Sequence, residues 1–237
     1  AYDSAEVRFF GEGSSASFKP ILTVVYTAGA SGPTVTTVSS NSATEGSSIV
    51  HTVTLSAAVT GSAASYAITL AGGTATGGGT DYTSTLSNGM FSDSVTVSGG
   101  NISVPVGVST FTVTVSTAGD TIDEANETYT LTIGGTAGTG TINDDDAAPT
   151  ITGTTSQTVT AGSPVVITYN PGLSGQTRTY RLALTDGRAT GGTDYDNTIV
   201  TGDFAVTAGT GSVSISGSTV TVDPGVAEFT LSIGTTA

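Results

Sequence analysis

The sequence is poor in several residue types, and each shortage removes a class of structure or function. It contains no cysteine, so disulfide bonds and thiolate metal sites are excluded. No run of 18 apolar residues occurs, so no segment is suited to cross a membrane as a helix. Only five basic residues stand against 19 acidic ones, for a net charge of −14. Because phosphate contacts need Lys and Arg, nucleic acids and anionic membrane surfaces are poor partners, and divalent cations are better ones.

The residues that are abundant favour β-structure. Thr, Ser, Gly, Val and Ala dominate the 237 residues, and glycine alone occurs 33 times. No stretch carries the Leu, Glu, Lys and Ala pattern of a long helix. β-branched residues instead alternate with small polar ones between glycine-rich turns, which is typical of strands. The composition predicts an all-β chain.

An internal repeat divides the chain. "PTVTTVSSNSATEGSS" at 33–48 matches "PTITGTTSQTVTAGSP" at 149–164, an offset of 116 residues from Pro33 to Pro149. "ATGGGTDYTST" at 75–85 likewise matches "ATGGTDYDNT" at 189–198. We therefore expect a complete first repeat at 33–148 and a second repeat at 149–237.

The second repeat is shorter than the first by the segment that reads "DTIDEANETYTLTIGGTAGTGTINDDDAA" in the first repeat. Alternation predicts a two-strand hairpin there, so the second repeat would lack its last two strands. Residues 1–32 hold two strand-like runs, "EVRFF" and "ILTVVY", around a Gly/Ser turn. We expect residues 1–32 to form an N-terminal β-hairpin that completes a neighbouring unit, because an open half-sandwich exposes apolar edges.

Three arrangements accommodate this pattern. The hairpin of one chain could complete the second repeat of another, which would join subunits head to tail. The two repeats could instead be consecutive periods of one long tandem polypeptide. Residues 1–32 could also be the remnant of an unrelated domain, since "FKPILTVVYT" resembles the closing strand of bacterial wall-associated carbohydrate-binding-like domains.

Acidic residues of the first repeat gather in a few places. Glu45 lies in "TEGSS", Asp81 in "TDY", four acids in "GDTIDEANE", and Asp144, Asp145 and Asp146 follow the last strand. In a Greek-key sandwich, the loop before the penultimate strand and the exit of the last strand can share one end. Hard oxygen ligands without His or Cys describe a Ca²⁺ site. A bound Ca²⁺ would turn the repulsion among these carboxylates into attraction.

These elements, in this order, resemble the Calx-beta family, which is named for regulatory domains of sodium–calcium exchangers and is widespread in large bacterial surface proteins. The resemblance covers residues 33–148. It implies a seven-stranded, immunoglobulin-like β-sandwich with Ca²⁺ at one pole. The ligands that it implies are Glu45, Asp81, Asp120, Asp123, Glu124, Asp144, Asp145 and Asp146.

The second repeat departs from this pattern. Ala161 stands where the first repeat has Glu45, although Asp194 and Tyr195 match Asp81 and Tyr82. Residues 1–32 offer Asp3 and Glu6 but no acidic triplet, so we expect no strong Ca²⁺ site in the second repeat.

Groups for catalysis are scarce. The single histidine, His51, shares a strand face with Ile49, Val53 and Leu55, and the repeat places Ile167 at the matching position. We therefore interpret His51 as a core or rim residue and predict that the protein is not an enzyme. The G-x-S-x-G motif of serine hydrolases does not occur. The acids of "DEANE" could form the carboxylate pair of a glycoside hydrolase, but the sequence has no tryptophan on which a sugar ring could stack.

The sequence thus predicts a secreted, extracellular structural protein: a subunit or repeat of a fibre or surface adhesin, assembled head to tail from copies of itself by strand complementation and rigidified by Ca²⁺. The alternative is a calcium-dependent adhesion module that binds glycans or cell-surface proteins.

Overall fold

A computed structural model describes residues 32–151 and 157–237. The predicted N-terminal hairpin at 1–32 lies outside the described residues, apart from Gly32. The protein is all-β, as the composition predicts, and its helical elements in the described ranges are two single 3₁₀ turns at Asn88–Met90 and Thr201–Asp203. The strands are β1 (Val35–Val38), β2 (Asn41–Thr44), β3 (Ser48–Leu55), β4 (Ala64–Gly72), β5 (Thr96–Ser98), β6 (Asn101–Val104), β7 (Thr110–Ser116), β8 (Glu127–Ile133), β9 (Thr136–Asn143), β10 (Val165–Tyr169), β11 (Arg178–Arg181), β12 (Phe204–Gly209), β13 (Val213–Ser216), β14 (Thr219–Val222) and β15 (Val226–Ile233).

The first repeat is a sandwich of two sheets. One sheet has the order β1-β3-β7, and the other has the order β2-β9-β8-β4-β6-β5. β1 and β2 follow each other closely but lie in different sheets: β1 pairs antiparallel with β3, and β2 pairs parallel with β9. This switch and the short β5 explain why nine strand segments are present where seven strands were expected.

Side-chain alternation builds the core of the first repeat. Along β3, residues 49, 51, 53 and 55 are buried while 48, 50 and 52 are exposed, which is the period of two that a half-buried strand requires. β7 and β8 contribute inward rows in the same way. The buried apolar residues are Val35, Val38, Ile49, Val53, Leu55, Val59, Ile68, Ala75, Tyr82, Val95, Ile102, Val104, Phe111, Val113, Val115, Tyr129, Leu131, Ile133 and Ile142.

The predicted hairpin of "ETYTLTIGGTAGTGTIN" is present as β8 and β9, which pair antiparallel from Glu127↔Ile142 to Ile133↔Thr136. Gly140 lies opposite Tyr129 in this ladder. A Cβ on Gly140 would lie 2.2 Å from Cζ of Tyr129, so the position of the tyrosine ring requires a residue without a side chain at 140. The ring also stacks on Tyr82, with a centroid distance of 4.8 Å.

His51 is buried inside this core, as its strand position predicts. Its Nδ1 lies 2.6 Å from the carbonyl oxygen of Ser39, and its Nε2 lies 2.9 Å from the hydroxyl of Tyr129. Because a carbonyl oxygen can only accept, Nδ1 carries the proton and Nε2 accepts from Tyr129. Burial lowers the pKa of His51 below its ordinary value. The imidazole is a neutral, satisfied core group.

The second repeat forms two three-stranded sheets, ordered β10-β15-β12 and β11-β14-β13. Tyr169 and Phe204 pack against its core, which is centred on Phe229. In the part of this repeat that the structure describes, no strand corresponds to β8 or β9. The buried residues that form this smaller core are Val213, Val220, Val222, Val226 and Phe229.

Neither 3₁₀ turn approaches the length or apolar character of a bilayer-crossing helix, and the described ranges contain no other helix.

Candidate metal site

Strand pairing brings the acidic segments of the first repeat to one end of the sandwich. β2 runs parallel to β9, and Thr44 pairs with Asn143, so the residues that follow both strands emerge side by side. The amide of Glu45 donates to the carbonyl of Asn143 over 3.0 Å. This end of the sandwich, which we call the acidic pole, is lined by Glu45, Asp81, Asp120, Glu124, Glu127 and Asp144.

Two groups of three carboxylates lie at the acidic pole. One oxygen from each of Glu45, Asp144 and Asp146 lies within 4.8 Å of the other two. Oxygens of Asp81, Glu124 and Glu127 meet the same limit. Ca²⁺ binds oxygen at about 2.3–2.6 Å, so two ligands on opposite sides of one ion are about 4.6–5.2 Å apart. Each group is therefore compact enough for its three oxygens to contact a single ion.

Backbone hydrogen bonds hold the loop that carries most of these acids. Oδ1 of Asp144 accepts from the amide of Glu124 over 3.0 Å, and the Asn126 side chain accepts from the amide of Asp144 over 3.1 Å. Asp120 caps its own turn by accepting from the amide of Ile122 over 2.7 Å. Glu45 accepts from the amide of Asp120 over 3.3 Å. These hydrogen bonds hold the residues that follow β9 against the 120–126 loop.

Burial and neighbouring negative charges raise the pKa values of Glu45, Glu124 and Glu127. Burial, a hydrogen bond with Asp81, and the charges of Asp81, Glu124 and Glu45 raise the pKa of Glu127 to about 7. Burial and the charges of Asp120, Asp81 and Asp144 raise the pKa of Glu124. Burial is also the main cause that raises the pKa of Glu45. Such a group gains most from a cation, because the cation removes the repulsion that favours the protonated forms.

One buried atom shows that the residues present fit a metal ion. Oδ2 of Asp146 is shielded from solvent and has no hydrogen-bond partner in the described part of the chain. An ionised oxygen in that state is costly unless a cation or a donor faces it. The donor set is all carboxylate, which matches the hard oxygen preference of Ca²⁺. Glu45, Asp144 and Asp146 would hold one ion, and Asp81, Glu124 and Glu127 a second.

Three predicted ligands belong to neither group of three: Asp120, which lines the acidic pole, and Asp123 and Asp145. Asp145 is exposed and belongs to neither group of three. Asp123 is 6% exposed and faces the second repeat. The two groups contain the other five predicted ligands, Glu45, Asp81, Glu124, Asp144 and Asp146.

Asp123 joins the two repeats. Its carboxylate forms an ion pair with Arg178 and accepts from the Ser174 hydroxyl over 2.6 Å, while its carbonyl accepts from the amide of Gly175 over 2.9 Å. A Cβ on Gly175 would lie 2.9 Å from Oε1 of Glu124, so the second repeat also packs closely on a candidate ligand. We call these contacts of Asp123 the junction.

Glu127 belongs to the acidic pole, although the sequence motifs did not predict it as a ligand. The signal was available in the alternation of β8, where residues 129, 131 and 133 face the core. Glu127 stands two residues before Tyr129 on the same face. An inward-facing carboxylate at the first position of a strand lies at the end of the sandwich rather than in its solvent-exposed face.

The aspartate that both repeats share has a local structural role. Oδ2 of Asp81 accepts from the amide of Thr76, and Oδ2 of Asp194 accepts from the amide of Thr190 over 2.8 Å. Each aspartate thereby closes the glycine-rich turn before it. No group of three metal-ligating side chains is found in the described residues of the second repeat.

Comparison with known proteins gives distant likenesses. No protein-family model matches the sequence, and no curated protein matches it significantly. Solved structures with a related arrangement include "Crystal structure of CBD12 from CALX1.2", at 14% identity and a TM-score of 0.37, covering 84% of this chain and 75% of that one. Another is "Crystal structure of calcium binding domain CBD12 of CALX1.1", at 14% identity and a TM-score of 0.33, covering 80% and 69%.

Proposed function

We propose that the first repeat is a Ca²⁺-binding β-sandwich module. The observation that carries this proposal is the pair of three-carboxylate groups at one pole, with the buried and unpartnered Oδ2 of Asp146 among them. Bound Ca²⁺ would neutralise the acids that raise the pKa values of Glu124 and Glu127. The order of acidic motifs that resembles the Calx-beta family supports the same choice of ion.

We further propose that the ion stiffens the junction between repeats. Asp123 lies between Asp120 and Glu124 on one short loop, so residues that would hold Ca²⁺ and the residue that pairs with Arg178 share a backbone segment. Fixing the loop at the acidic pole also fixes the orientation of Asp123. The module would then act as a rigid spacer in an extracellular fibre or surface adhesin, with its neighbours arranged head to tail.

The roles of individual groups support a non-catalytic function. The single histidine is neutral, buried and hydrogen bonded on both nitrogens, so it does not offer a base to a substrate. Glu124 and Glu127, whose pKa values are raised, lie close enough to each other and to Asp81 for the three to share an ion. We therefore propose a structural protein rather than an enzyme.

Calcium binding is tested by titrating the full chain in a calorimeter and by following its unfolding in EDTA and in Ca²⁺. We expect exothermic or endothermic saturable binding, and stabilisation of about 2.7 kcal/mol when Ca²⁺ exceeds Kd a hundredfold. Asp93→Asn is the matched control, because Asp93 is an exposed acid of the same repeat outside the two groups of three. Identical unfolding of the wild-type chain in EDTA and Ca²⁺ would show that the acidic pole binds no calcium.

A further inference from the structure

Among the residues that the structure describes, no strand pairs with the sheet edge that follows β11 in the second repeat. "RTYRLALTDG" at 178–187 matches "ASYAITLAGG" at 64–73, so Leu182 corresponds to Ile68. The two residues make the same hydrogen bond: the amide of Ile68 donates to Gly100 over 3.0 Å, and the amide of Leu182 donates to Ser218 over 2.8 Å. The strands therefore follow the same course up to this point.

Beyond this point the two repeats differ. β4 continues to Gly72 and pairs with β8 from Ile68↔Ile133 to Gly72↔Tyr129. In the second repeat β11 ends at Arg181, and within the described ranges no strand pairs with residues 182–186. An unpaired edge of this kind offers backbone donors and acceptors to an incoming strand.

A groove adjoins this edge. It has a volume of about 470 Å³ and is lined on its apolar side by Leu182, Leu184, Ile199 and Ile215, with Tyr195 among its walls. The matching tyrosine of the first repeat, Tyr82, is 1% exposed because it stacks on Tyr129 of β8. Tyr195 has no such cover in the described residues and is partly exposed. The groove thus lies where the first repeat holds its β8–β9 hairpin.

We propose that this edge binds residues 1–31 of a second copy of the chain, as a strand pair that takes the place of β8 and β9. The proposal deepens the head-to-tail assembly proposed above and names the surface that receives it. The strand next to 182–186 would run antiparallel, as β8 does beside β4. Main-chain hydrogen bonds would give the affinity, and the groove would select alternate side chains.

The sequence of residues 1–31 fits this surface. A strand over "ILTVVY" at 21–26 would present Leu22, Val24 and Tyr26 on one face. β8 presents three apolar residues in the same alternation, at 129, 131 and 133. A strand that takes the place of β8 must present its apolar side chains with the same period of two. Residues 22, 24 and 26 have the same number and spacing as residues 129, 131 and 133.

The test measures the mass of the full chain by light scattering over a hundredfold range of concentration. We expect assembly that grows with concentration and falls at least tenfold in Leu184→Asp, because that change puts a charge in the groove. Val200→Asp is the matched control, since Val200 is exposed and does not line the groove. A wild-type chain that stays monomeric throughout would overturn the proposal.

A competition experiment does not depend on the folding of any variant. An excess of synthetic peptide 1–31 added to the wild-type chain should return the assemblies to single chains and slow hydrogen exchange at residues 182–186. A peptide of residues 127–143, the β8–β9 hairpin, is the comparison. If 127–143 binds and 1–31 does not, the edge accepts a hairpin but the proposed occupant is wrong. Calcium binding at the first repeat is measured separately, so failure of either proposal is recognised independently of the other.

Discussion

At the scale of single residues, Asp144 and Asp145 are neighbours with different surroundings. Asp144 lies within 4.8 Å of Glu45 and Asp146 and accepts from the amide of Glu124, whereas Asp145 is exposed. We expect Asp144→Asn to weaken Ca²⁺ binding roughly tenfold or more, about 1.4 kcal/mol, because a ligand charge is lost. Asp145→Asn removes the same charge from the neighbouring residue and should change the Kd for Ca²⁺ little in a calorimetric titration. Equal losses would show that long-range charge, not ligation, controls the site.

The hydrogen bond between Tyr129 and His51 is a second feature of single residues. Tyr129→Phe leaves Nε2 of His51 without its donor in the core, so we expect a loss of about 1–3 kcal/mol in the free energy of unfolding. Tyr195→Phe is the control, because it removes an exposed tyrosine hydroxyl bonded to Asp186. Chemical denaturation should show a clearly smaller effect for the control. A Tyr129→Phe protein as stable as wild type would contradict the buried pairing.

Glu127 makes the calcium-free protein sensitive to pH. Its pKa is raised to about 7 from 4.5, so the folded state binds more protons than the unfolded state between these values. In EDTA, stability should therefore fall as pH rises from 5 to 7. The lowered pKa of His51 acts with the opposite sign, but it is unaffected by Glu127→Gln and cancels in the comparison.

Melting temperatures measured in EDTA across this pH range check this expectation. Glu127→Gln should lose most of the decline, since a neutral amide does not repel Asp81, Glu124 and Glu45. Saturating Ca²⁺ should flatten the wild-type profile as well. A variant whose profile matches that of the wild type in EDTA would assign the decline to another group.

At the scale of elements, the β8–β9 hairpin organises the first repeat. It supplies Tyr129, Leu131 and Ile133 to the core, begins at Glu127 and ends beside Asp144. The alternation of its sequence predicted both strands, because each apolar position recurs with a period of two. The close contact of Gly140 with the ring of Tyr129 was not predictable, because it depends on the register of the two strands.

Gly140→Ala tests that contact. A methyl group there would overlap the ring of Tyr129, so the ring or β9 must move, and we expect a loss of roughly 2–4 kcal/mol, as for other overpacked or rearranged cores. Gly89→Ala is the control, because a Cβ at Gly89 has open space around it. Thermal unfolding should separate the two variants by many degrees. Similar melting temperatures would show that the ring has room to move aside.

At the scale of the whole molecule, the proposed function couples the acidic pole to the junction. If Ca²⁺ and the docking of the second repeat stabilise the same loop conformation, each must strengthen the other by the same factor. Arg178→Met should then weaken Ca²⁺ binding about threefold to tenfold, although Arg178 is not a ligand. Arg181→Met, three residues along the same strand, is the control. Unchanged Ca²⁺ affinity in Arg178→Met would show that the two sites are independent.

The absence of cysteine makes the geometry of the repeats measurable. Spin labels placed at Val106→Cys and Val200→Cys, which are 55% and 53% exposed, would report the distance between the repeats. We expect a narrow distance distribution in Ca²⁺ and a broader one in EDTA. Distributions of equal width would contradict the role of calcium as a stiffener.

The sequence alone determined the all-β class, the repeat, the β8–β9 hairpin and the gathering of acids at one end of the first repeat. These features depend on composition, on a period of two and on order along the chain, which are all local or additive. His51 was also placed correctly, because its strand neighbours and its aliphatic counterpart in the repeat both indicate a buried position.

Only the tertiary structure decided which acids meet. Asp123 and Glu124 are adjacent in the sequence, yet Asp123 pairs with Arg178 in the second repeat and Glu124 lies at the acidic pole. Glu127 lines the pole from the first position of β8. Distances between residues 45, 81, 124 and 144 are determined by strand pairing over long sequence separations, and no local pattern contains that information.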